Sequence, residues 1–146
     1  MRPKTNKTQL PDRALQLYGQ QLIKENDFPE FCRVFIPEPE FPYEWYNHLD
    51  EINEFIKDKD KAGILAPRGH GKSVTFKTAF VLFEAIKNPN VNIAIASNTE
   101  STVEEMIKPI LDFATKPKIK AVFGELVSKA VDNTIEFRKS SKSVTN

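Results

Sequence analysis

One stretch has the residue types and spacing to do chemistry: Gly63-Ile64-Leu65-Ala66-Pro67-Arg68-Gly69-His70-Gly71-Lys72-Ser73. An apolar run leads into a glycine loop, and Lys-Ser then opens an amphipathic segment. The pattern [Ala/Gly]-x-x-x-x-Gly-Lys-[Ser/Thr] is the Walker A phosphate-binding loop, with Ala66 at the position where Gly is commoner. A triphosphate presents several closely spaced anionic oxygens. A loop that wraps them aims successive backbone N–H groups inward, in conformations that Gly69 and Gly71 adopt without steric cost. The helix that follows brings its free N–H groups and its positive dipole end to the same anion. In this reading Lys72 reaches the β- and γ-phosphates as a point charge, and the Ser73 hydroxyl ligates Mg²⁺. Ala66, Pro67, Arg68, Gly69, His70 and Gly71 supply the rest of the cup. The bare pattern should arise by chance in roughly one chain of this size in a hundred. A buried-strand pattern before the loop and a helix pattern after it are the context the motif requires. The alternative is a glycine turn beside an exposed Lys.

The elements that must position this loop can be read along the chain. Residues 62–66 are apolar throughout, as in a strand covered on both faces. Residues 72–87 repeat apolar side chains on more than one side of a helix, and Asn88-Pro89-Asn90 stops it. Residues 91–96 form a second strand. A helix follows to about Thr115, with Ser101-Thr102-Val103-Glu104 as its capping box and Pro109 predicting a kink or a shifted boundary. Residues 118–126 read as a short helix, and 134–137 alternate like a strand. Upstream, 12–25 and 44–57 are amphipathic helices. Between them, Phe28, Phe31, Phe35, Phe41 and Tyr43 alternate with Pro29, Pro37, Pro39 and Pro42. The prolines predict an extended segment with aromatic anchors. It either glues the first helix to the body or partly covers a nucleotide base. Strands alternating with helices give an α/β fold, a P-loop NTPase-type parallel sheet with flanking helices. The divisions are a disordered basic tail over 1–11, a helical, aromatic and proline-rich lead-in over 12–60, and a P-loop core over 61–146.

Composition bounds the function. The 146 residues suffice for one domain, and 40% hydrophobic with 28% charged is ordinary for a globular chain. A net charge of +1 forces neither a nucleic-acid nor a membrane partner, so any DNA contact must be local. The triplet Lys116, Lys118 and Lys120 is either a solvated face or such a phosphate contact. Cys32, the single cysteine, permits no internal disulfide, fits a reducing cytoplasmic compartment and reads as a small apolar filler. No apolar run approaches transmembrane length. His48 sits near the apolar edge of its helix, where a packed or surface histidine is the ordinary reading.

Leu65 to Ser73 resembles the phosphate loop of the large subunit of tailed-phage terminases, the DNA-packaging motors. Ile93-Ala94-Ile95-Ala96-Ser97-Asn98-Thr99-Glu100 with its following helix resembles that family's next strand–turn–helix. Phe41-Pro42-Tyr43-Glu44-Trp45-Tyr46-Asn47-His48-Leu49 resembles its adenine-contacting segment, with His48 where a polar side chain, often Gln, reads the base. The resemblance spans about residues 28–138. It implies ATP and Mg²⁺ as cofactors and an ATP-hydrolysing motor that moves double-stranded DNA into procapsids. It also implies a portal protein, a small terminase subunit and a homo-oligomeric ring as partners. Arg68 takes the place of a family Arg that senses or stabilises the γ-phosphate, and counts with Lys72 as catalytic. One departure stands out. The family's apolar strand ending in Asp-Glu, whose Asp holds Mg²⁺ and whose Glu activates water, has no counterpart after Ser73. Asp112 falls in a helix, and Glu125 and Asp132-Asn133 follow no apolar strand run. The resemblance therefore implies the first part of a longer motor, with low turnover in isolation. In that topology residues 64–65 and 93–95 do not pair directly. The other readings are a helicase-like or repair P-loop ATPase, and a non-catalytic interaction module.

Overall fold

A computed structural model describes residues 12–40, 42–59, 61–63, 65, 73–131 and 133–137. Helices dominate them. α1 (Asp12–Lys24), α2 (Phe28–Phe35) and α3 (Asn47–Ile56) precede the loop; a π-helical segment (Ser73–Ala79) then runs directly into α4 (Phe80–Lys87). α5 (Glu100–Ala114) and α6 (Pro117–Phe123) follow, and β1 (Val127–Val131) and β2 (Thr134–Phe137) close the order.

The parallel sheet expected from the sequence is not present among the described residues. Their one sheet is two-stranded, and β1 and β2 pair antiparallel as a hairpin, Val131 opposite Thr134 and Ala130 opposite Ile135. Residues 91–97, predicted as a buried strand, carry no strand assignment. Val91 and Ile93 are 36% and 41% exposed, and Leu65 from the predicted first strand is 102% exposed. The physical reason is that alternation and branched side chains describe a tendency to extend. A strand exists only where a second backbone meets its N–H and C=O groups, and that partner is not encoded locally. Residue 64 lies outside the described residues, so only half of the 64–65/93–95 expectation is visible.

The second correction concerns α2. Three prolines beyond Pro29 suggested an extended segment, yet Phe28–Phe35 is a helix. Asp27 caps it, accepting the Glu30 N–H at 3.3 Å, and Pro29 sits in the first turn, where its missing N–H costs nothing. Pro37 and Pro39 fall beyond its end. α1 stops at Asn26, whose φ of 57° is left-handed; the Asp27 N–H reaches back to the Leu22 carbonyl at 2.9 Å. In α5 the cap is Thr99, whose Oγ1 accepts the Thr102 N–H at 3.3 Å, two residues before the expected box, and Pro109 lies within the helix.

α2 is the hub of the core. Phe31 and Ile36 are fully buried, as are Cys32, Leu82 and Ala79. The Phe31 ring meets Phe35 at 5.1 Å and Phe83 at 5.2 Å, joining α2 to α4. Phe28 meets Phe80 and Trp45 edge-on at 5.3 and 5.8 Å. Such offset and edge contacts suit the ring quadrupoles. α1 and α6 pack closely at Gly19, where a Cβ would collide with Val122 Cγ1 and lie 3.0 Å from Phe35 Cζ. One cluster thus joins the lead-in to the helices after the loop.

Candidate nucleotide site

The site is built from the helix that follows the glycine loop. Residues 66–72, carrying Ala66, Pro67, Arg68, Gly69, His70, Gly71 and Lys72, lie outside the described residues. Ser73 is described: it is exposed and is the first residue of the π-helical segment. The hydroxyl assigned to Mg²⁺ therefore belongs to the first described residue of a helical run that continues to Lys87.

The segment itself is unusual. Its i→i+5 winding is rare and concentrates at functional sites. Thr75 is fully buried and Thr78 nearly so, both polar side chains facing a largely apolar interior. The Thr75 hydroxyl is satisfied from far away in sequence: Tyr43 Oη lies 2.6 Å from Thr75 Oγ1, and either can donate. The Cys32 thiol on α2 is fully buried and the Tyr43 ring is partly buried. Burial pushes both groups upward: the Cys32 thiol is well above the ordinary thiol value, and the Tyr43 phenol well above its own. Both are neutral near pH 7. Cys32 is the buried filler expected.

His48 occupies the first turn of α3, half-buried, with its ring stacked on Tyr46 at 5.8 Å and 12° between planes. It belongs to a different element from Ser73; beside the ring contacts of Phe28 and Phe31, the Tyr43–Thr75 hydrogen bond ties the lead-in to the loop-bearing helix near Ser73. Sequence reasoning did not single out Thr75. No local signal marks it, because its partner stands 32 positions away.

Two lysines of the basic triplet are partly buried and engaged by α2 and the residues after it. Lys116 pairs with Glu38 and lies over the Phe113 ring at 4.9 Å. Lys118 Nζ donates to the Val34 carbonyl at 2.9 Å, and burial lowers its pKa while Glu38 opposes the change. Lys120 is exposed. Two of the three lysines therefore join α6 to the α2 end rather than forming a solvated patch.

A cleft of about 800 Å³ lies elsewhere, between α4, α5, residues 89–95 and β2. Glu136 is the charged residue among the described residues that line it, and they bring no cation that would suit a triphosphate. A strand does precede position 132, but Ser128 to Val131 are exposed and belong to a hairpin, unlike a buried strand delivering a metal-holding Asp. Among the described residues no cluster of His, Cys, Asp or Glu is placed to hold a metal, and no helix is long and apolar enough to cross a membrane. Comparison with family models, curated proteins and solved structures gave no match to this chain.

Proposed function

We propose that this chain binds ATP with Mg²⁺ through residues 66–73, as the nucleotide-binding part of a terminase large subunit that packages double-stranded DNA. The observation that carries the reading is the junction at Ser73. A complete Gly-x-Gly-Lys-Ser spelling ends at the first described residue of a helical run that continues to Lys87. The Ser73 hydroxyl, exposed there, is a hard oxygen donor that fits Mg²⁺, which when bound neutralises phosphate charge. Lys72 and Arg68 contribute cationic charge to the phosphates. His48 reads the base only by resemblance. The portal protein, the small terminase subunit and a ring of copies enter on the same ground. The expected sheet is no part of the proposal, which rests on the loop and its helix. The metal-holding Asp and water-activating Glu that hydrolysis needs have no counterpart in residues 74–146, so binding is the activity to test.

Exposed Leu65, Val91 and Ile93 favour one second reading, a non-catalytic module that retains the loop and works through contacts. Titration with ATP–Mg²⁺ separates the two. The wild-type chain binds, and Lys72→Ala weakens binding by tenfold or more, the loss of one charge-assisted contact. Equal binding by both proteins, or by neither, refutes the nucleotide site and leaves the module.

A further inference from the structure

We propose that Tyr43 is a positioning residue for the phosphate site: its hydroxyl pins Thr75 and so sets where Ser73 stands. The inference rests on the nucleotide reading above and adds a residue from outside the loop to it.

Thr75 is two positions after Ser73 and fully buried. A buried hydroxyl without a partner costs about 1–3 kcal/mol, so one is needed. Here the described partner is Tyr43, at 2.6 Å, on the segment that joins α2 to α3. Tyr43 is anchored in turn. Its ring packs against the core cluster, and Pro42 precedes it with a fixed φ. The buried cluster thus reaches the first turn after the loop through the Tyr43–Thr75 hydrogen bond.

The winding explains why a pin matters at this place. Successive residues of an α-helix advance by about 100° around the axis. A π winding carries an extra residue in its hydrogen-bonded turn, so conversion between the two turns the start of the segment about its axis. Ser73 is the first described residue of the π segment and Thr75 lies within it. Holding Thr75 fixes the azimuth of that start. A side chain there that filled the space without bonding would hold the packing but not the rotation. The Tyr43 ring supplies packing, and its hydroxyl supplies register.

The test uses Tyr43→Phe, Thr75→Val and Thr75→Ser, with wild type and Lys72→Ala as references. ATP–Mg²⁺ titration and urea denaturation are read on each protein. Tyr43→Phe and Thr75→Val are expected to weaken ATP–Mg²⁺ binding by roughly three- to tenfold, the weight of one hydrogen bond. Combining them should weaken binding no further than either alone. Thr75→Ser, which keeps the hydroxyl, should bind like wild type. Unchanged affinity in Tyr43→Phe and Thr75→Val, with only the urea midpoint lowered, makes the bond merely structural and overturns the proposal. In that outcome Lys72→Ala still loses binding, and the nucleotide site survives. Failure of wild type itself to bind removes the site and this proposal together.

Discussion

Two regions of similar apolar content behave differently. α2 and its neighbours bury Phe28, Phe31, Phe35 and Phe83 almost completely. Residues 91–97, spelled Val-Asn-Ile-Ala-Ile-Ala-Ser, leave Val91 and Ile93 open to solvent. Hydrophobicity does not separate them. What separates them is how each satisfies its backbone. A helix closes its hydrogen bonds within about four residues, so α2 needs only a cap at Asp27 and an apolar stripe to dock. An extended segment closes none of its own. It stays open until another strand arrives, however well its side chains suit a sheet.

Substitutions can break or sharpen that contrast. The largest effect is expected at Phe31→Ala. Its ring is fully buried against Phe35, Phe83 and Phe123, and removal should cost about 3–5 kcal/mol in urea unfolding. A loss below about 1 kcal/mol would mean that α2 is not the hub. Gly19→Ala comes next, at about 1–3 kcal/mol, because the added methyl must push α1 from Val122 on α6. A neutral result there would show the two helices free to separate. Ile93→Lys should be smallest, within about 0.5 kcal/mol, since the side chain is already exposed and an added charge leaves the buried cluster untouched. A loss of several kcal/mol at Ile93 would place residues 91–97 in a packed sheet and erase the contrast.

The same contrast explains what was legible in the sequence. The helices over 12–24, 47–56, 73–87, 100–114 and 117–123 follow from apolar spacing at 3.6 residues, and their ends fall within a few residues of the expected ones. The strand at 134–137 was legible by alternation, but its antiparallel partner β1 was not, because Ser128-Lys129-Ala130 carries no apolar face. α2 was misread because proline was counted without its position; Pro29 in a first turn favours a helix. The parallel sheet was misread because two local patterns were joined into a non-local object. At the site, Gly69, Gly71, Lys72 and Ser73 spell the proposed loop, and of these Ser73 alone falls among the described residues. The Tyr43–Thr75 bond was not legible, since no rule on neighbouring residues pairs positions 43 and 75.

The central claim is that the backbone of 66–73 receives a triphosphate, and the amide signals of that stretch report it most directly. Following ¹⁵N-labelled protein during addition of ATP–Mg²⁺ should show saturable shifts centred on Gly69, Gly71, Lys72 and Ser73, with the same shifts weakened by tenfold or more in Lys72→Ala. Amides of 66–73 that stay still while ATP–Mg²⁺ is added, or shifts that are identical in Lys72→Ala, would contradict it.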